Sequence, residues 1–193
     1  MSLIGLVGDS NMVRCSRGFA GSLTTDAVGH TTMVAATGGS CVRWSGCVFG
    51  KGCADPTSND FWRRRLSALP KPAAWVCGLG VNDAPFPGTA TSCGYSWYAA
   101  KVDYMMGLFG SVPVIWTNLP VGLLRADYRT GATSINTALF NAPARWPNLR
   151  FVQWRTVAEP HPDYIDPDGV HLSDAGQAAY VNLVVAELLK VVP

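Results

Sequence analysis

Five short apolar runs, at residues 3–7, 32–36, 73–79, 112–117 and 149–154, recur along this chain, and segments with helical spacing separate them. The runs are rich in β-branched and aromatic residues and are bounded by Gly, Pro or Asn, the pattern of buried strands. The intervening helical segments cover about 11–22, 60–69, 95–109, 134–145 and 173–191. Strands that alternate with helices are joined by right-handed crossovers, which place the strands parallel and cover both sheet faces with helices. The expectation is therefore one domain over residues 1–193: a three-layer α/β/α fold whose five-stranded parallel sheet has the flavodoxin-like order 2-1-3-4-5. A chain of 193 residues can bury a full core without metals or staples. No repeat, low-complexity tract or linker points to a second domain.

Charge and hydropathy narrow the partners. Apolar residues make up 48% of the chain and charged ones 15%, which excludes a disordered chain. A net charge of +2 gives no reason to expect nucleic acid, and Arg63-Arg64-Arg65 reads as a solvated helix face. No apolar stretch approaches the roughly 20 residues that span a bilayer. Residues 1–10 lack the charged start and cleavage site of a signal peptide, so the expectation is a cytoplasmic protein or one exported without a cleaved leader. Oligomeric state is left open. Of the six cysteines, Cys15 and Cys77 fall in a helix and a strand and read as small core residues. Cys41, Cys47, Cys53 and Cys93 lie in Gly-rich loops, and at least one pair among them is expected to be bonded if the protein works outside a reducing cytosol. Zinc-type spacing is absent, and neither a metal nor a cofactor is called for.

Ligands of such sheets bind beyond the C-terminal strand ends, near the point where strand order reverses. Ser10, Gly38-Gly39 and Asn82 follow the first three runs and converge there. Ser10 reads either as a nucleophile at a helix start or as an ordinary helix cap. Asp168-x-x-His171 is more specific: a carboxylate three residues before an imidazole can meet it across a tight turn and fix its tautomer. Asn82 can close a loop, or donate its amide N–H to a developing oxyanion beside the backbone N–H groups of Gly39 and Ser10. Asp9 and Asp83 read as structural, bonded to loop backbone. His30 reads as a surface or core residue and His161, between two prolines, as a loop residue.

Taken together, Gly8-Asp9-Ser10, Gly39, Gly80-x-Asn82-Asp83 and Asp168-x-x-His171 resemble the SGNH hydrolase superfamily, the GDSL esterases and lipases. The resemblance covers nearly the whole chain. It departs at Asn11, where the namesake pattern has Leu, a variation that leaves the chemistry intact, and it leaves Gly38 as the alternative to Gly39. The resemblance implies ester hydrolysis through an acyl-enzyme on Ser10, with His171 as base, Asp168 as its orienter, and Ser10, Gly39 and Asn82 as the oxyanion hole. Acyl transfer to a sugar hydroxyl uses the same residues. A non-catalytic carbohydrate-binding or structural module of a surface or viral assembly is the contrasting reading, and it has no need for all four side chains.

Substrate is read from the loops. Segments 42–59 and 84–94 should rim the pocket, where Trp44, Phe49, Phe86 and Trp97 read either as a stacking wall for a sugar or aromatic acyl group or, for the tryptophans, as residues packed in or near the core. No long apolar lid helix is apparent. The expected partner is thus a small-molecule or carbohydrate ester, with a short acyl group such as O-acetyl favoured.

Overall fold

The computed structural model describes residues 2–24, 30–34, 58–85 and 95–192. Gly38, Gly39, Trp44, Phe49, Phe86 and the four loop cysteines lie outside the described residues. Among the described residues, five strands form one sheet: β1 (Leu3–Gly8), β2 (Thr31–Val34), β3 (Ala74–Gly78), β4 (Val114–Thr117) and β5 (Leu149–Val152). All pairings are parallel and the order is β2-β1-β3-β4-β5, as the alternation of runs and helices predicts.

The period of the strands builds two cores. Ile4 and Leu6 of β1, Ala74 and Val76 of β3 and Ile115 of β4 face one side of the sheet. There they meet α1 (Ser10–Thr24), α5 (Trp154–Ala158) and α6 (Asp174–Leu188) through Phe19, Leu23, Trp154, Val181 and Val184. The alternate residues, Val7, Trp75, Cys77, Val114 and Trp116, face the other side. They pack on α2 (Ser58–Ser67), α3 (Tyr95–Phe109) and α4 (Ala126–Asn141) through Trp62, Met105, Met106, Ile135 and Leu139. Side chains that alternate with period two and are apolar on both faces are the signature of a sheet buried between helix layers.

Two elements depart from the sequence reading. The helix expected over 134–145 begins earlier, at Ala126, and ends at Asn141, where a 3-10 turn, Ala142–Ala144, takes over around Pro143. The first half of α4 is rich in Thr, Ser and Gly, poor helix formers that hide its start, and burial of Tyr128, Ala132 and Ile135 overrides them. The run at 149–154 is strand only to Val152, and Trp154 opens the short helix α5 with its indole buried. Arg63, Arg64 and Arg65 are exposed on α2, and His30 is buried. Among the described residues, no helix is long and apolar enough to cross a membrane.

Candidate active site

β1 delivers Ser10 to the C-terminal edge of the sheet as the first residue of α1. A serine there ordinarily caps the helix, but here Asp9 takes that role: its Oδ1 accepts the Asn11 N–H at 2.9 Å. The Ser10 hydroxyl is left for another partner. Its Oγ lies 2.9 Å from Nε2 of His171, which is 161 residues away in the chain.

His171 belongs to a tight loop that precedes α6. Ile165 and Leu172 pair as an antiparallel bridge at its base. Gly169 turns the chain with φ +68°, a left-handed conformation that side chains beyond glycine adopt at a cost. That turn lets Asp168 fold back on the residues after it. Its Oδ1 accepts the N–H groups of Val170 and His171 at 2.8 and 2.9 Å. Its Oδ2 lies 2.6 Å from Nδ1 of His171. Burial alone would raise the Asp168 carboxyl, but the His171 backbone N–H, the His171 ring and the Val170 N–H outweigh it and hold it down at about 2. Asp168 is therefore ionised at neutral pH and can only accept. The Nδ1 atom then carries the ring proton, and Nε2 is left as an acceptor for the Ser10 hydroxyl.

β3, the neighbour of β1, ends near the same place. Gly80, at φ +140°, redirects the chain into the 3-10 turn Val81–Asp83, which carries Asn82 half-buried. The Tyr98 hydroxyl of α3 donates to the Asp83 carbonyl at 2.5 Å and ties this turn to the core. Asp9 and Asp83 are both buried at the strand ends. Trp97 is half-buried on the first turn of α3, edge-on to Tyr98 and with Lys101 over its ring. His161 is exposed and stacks on Tyr164.

Two residues of α1 that the sequence reading gave no role, Asn11 and Arg14, join the loop to this helix. The Asn11 amide donates to the Val170 carbonyl at 3.2 Å and accepts the Leu172 N–H at 2.9 Å. Arg14 donates to Asp166 at 2.7 Å and to the Leu172 carbonyl at 3.2 Å. The available signal was spacing: residues 11 and 14 stand three apart at the start of α1, neighbours on one helix face.

A small cavity of about 40 Å³ lies beside these groups. Its walls include the sequence neighbours of the site residues: Asn11 after Ser10, Val81 before Asn82, and Val170 and Leu172 on either side of His171. Gly78, Leu119, Pro120 and Leu124 complete its apolar side.

The same architecture is found in solved proteins. A lipase/acylhydrolase from Enterococcus faecalis superposes with a TM-score of 0.71 at 19% identity, covering 100% of this chain and 98% of that one. The chain has the SGNH hydrolase fold. A family 3 carbohydrate esterase from Clostridium thermocellum shares this SGNH architecture, with a TM-score of 0.68 at 14% identity over 98% of this chain and 97% of that one. In sequence, 58 residues are 36% identical to the peptidoglycan O-acetyltransferase OatA of Listeria monocytogenes. That segment is 30% of this chain and 9% of OatA, so the match spans a small part of that protein. No family model matches the chain.

Proposed function

We propose that this SGNH-fold protein is a serine esterase that cleaves a short-chain acyl ester, with an O-acetylated carbohydrate as the favoured substrate. The observation that carries the reading is the continuous chain of bonds from Ser10 Oγ through His171 to Asp168, at 2.9 and 2.6 Å. A neutral imidazole with its acceptor nitrogen on the serine is a general base in position. Ser10 Oγ attacks the ester carbonyl carbon while its proton passes to His171 Nε2, and Asp168 stabilises the resulting imidazolium. The Ser10 N–H at the start of α1, the Asn82 side chain and the Gly39 N–H receive the oxyanion. His171 returns the proton to the departing alcohol, and the acyl group stays on Ser10. Water then loses a proton to the same nitrogen, attacks the acyl carbon and releases the carboxylic acid with Ser10 restored.

The small cavity beside these groups, about 40 Å³ and lined by their sequence neighbours Asn11, Val81, Val170 and Leu172, supports a small acyl group. The carbohydrate preference is supported by the carbohydrate esterase that shares the fold. The OatA match favours a second reading, transfer of the acyl group to a sugar hydroxyl in place of water, on the same three residues.

Turnover of p-nitrophenyl esters of increasing chain length, by wild type and Ser10→Ala, tests the proposal. The expected result is that activity is highest for acetate, falls with chain length and vanishes in Ser10→Ala. Equal rates from the two proteins would end the esterase reading. Product analysis with an added sugar acceptor separates hydrolysis from transfer.

A further inference from the structure

We propose that Asn11 is the positioning residue that sets His171 at hydrogen-bonding distance from Ser10. The inference rests on the esterase reading above and deepens it. Within the Ser10–His171–Asp168 chain of bonds, the Asp168–His171 half is local. Asp168 sits three residues before His171 and bonds its backbone as well as its ring, so the two travel together on one loop. Nothing in that pair refers to Ser10, which arrives on a different element. The loop must therefore be registered against α1 by other bonds.

Asn11 supplies them from the residue next to the nucleophile. Its Nδ2 donates to the Val170 carbonyl at 3.2 Å and its Oδ1 accepts the Leu172 N–H at 2.9 Å. These two peptide groups flank His171 on either side. Two bonds from one planar amide fix the orientation of the segment as well as its distance, and a side chain with two torsions holds them at little entropic cost. Arg14 adds a second tether one turn further on, to Asp166 and the Leu172 carbonyl. Its side chain is 40% exposed, so that ion pair is weak and screened by salt, and the half-buried Asn11 carries the registration. Leu, the residue of the namesake motif at this position, can make neither bond. In this chain the amide beside Ser10 is thus part of how the base is aimed.

The test compares wild type with Asn11→Leu and Asn11→Asp by kinetics on p-nitrophenyl acetate, thermal melting and amide hydrogen exchange at Leu172. In Asn11→Leu, kcat per folded molecule is expected to fall about 10- to 100-fold, the cost of an ångström-scale misplacement of a catalytic group, with KM little changed. Leu172 exchange should accelerate while amides within α6 keep their protection. Asn11→Asp keeps the acceptor for Leu172 and loses the donor to Val170, so it should retain Leu172 protection and an intermediate kcat. A kcat for Asn11→Leu within twofold of wild type would overturn the proposal. So would unchanged Leu172 exchange, or a loss of activity that tracks only a loss of folded protein. If Asn11→Leu does not fold, Asn11→Asp carries the same comparison. A wild type no more active than Ser10→Ala would sink the esterase reading alone, and Leu172 exchange would still decide whether Asn11 holds the loop.

Discussion

Replacing Asp9 with Asn should change how stability depends on pH. Asp9 is fully buried at the end of β1, and its Oδ2 makes no hydrogen bond among the described residues. Burial raises its carboxyl from 3.8 to about 7; the Asn11 and Met12 backbone N–H groups oppose the rise and the Asp83 charge adds to it. Around it, Cys15, Cys77 and Tyr180 also interact with its charge, and burial pushes all three up, Cys15 to about 12, so they stay neutral across the relevant range. The sign follows from the direction: a carboxyl raised in the folded state holds its proton there more tightly than in the unfolded chain. Its contribution is complete below the unfolded value of 3.8 and is lost as pH rises through 7. A gap of about 3 pH units at about 1.4 kcal/mol each amounts to about 4 kcal/mol in all. Between pH 5 and pH 8 the part lost is about 3 kcal/mol. Asn keeps an acceptor for the Asn11 N–H and does not titrate. Urea unfolding of both proteins at pH 5 and pH 8 should therefore show the Asp9→Asn variant gaining about 3 kcal/mol on wild type at the higher pH. A difference between the two proteins that is the same at both pH values would refute the reasoning.

Three further outcomes are expected. Asn82→Ala should lose about 10²–10³ in kcat with little change in melting temperature, as removal of an oxyanion donor does; a large fall in melting temperature with activity per folded molecule preserved would assign Asn82 to loop structure instead. Asp168→Asn should lower kcat by about 10⁴. It should also flatten the acid end of the stability profile: a carboxyl held down at about 2 contributes stability above its ordinary 3.8 that wild type loses as pH falls through about 2, measurable by thermal melting at pH 2 and pH 5. Gly169→Ala should cost about 1–2 kcal/mol, because φ is +68° and the new Cβ would lie 3.0 Å from the Arg125 backbone nitrogen. Its kcat should fall with its stability, since the Asp168 turn depends on that residue.

The sheet was legible because its strands are buried on both faces, which writes them as apolar runs, and because helices between them leave parallel pairing as the geometric solution. The start of α4 was not legible, since Thr130, Gly131, Thr133 and Ser134 argue locally against a helix and only burial of one face, through Tyr128, Ala132 and Ile135, settles it. Trp154 fooled the strand reading because a buried aromatic looks alike in a strand and in a one-turn helix. In the site, Asp168 and His171 stand close in sequence, so their pairing could be read as a motif. The contacts of Asn11 and Arg14 could not: they join positions about 160 residues apart, and neither residue type is tied to one role. The reading of Gly39, Trp44 and Phe86 falls on residues outside those described.

The bond between Ser10 and His171 joins a group on α1 to one on the loop that leads into α6; α1 and α6 lie side by side although almost the whole fold separates them in sequence. No local fragment contains both halves of the pair. A fragment that begins or ends anywhere between them retains at most a lone hydroxyl or a lone imidazole. Four of the five strands, β2 to β5, lie between the two in the chain, so the pair forms only by long-range assembly and a molecule without that contact is chemically silent. Ester turnover in this protein should thus serve as a reporter of complete folding, appearing in refolding experiments with the last slow phase and not with the burst of helix formation.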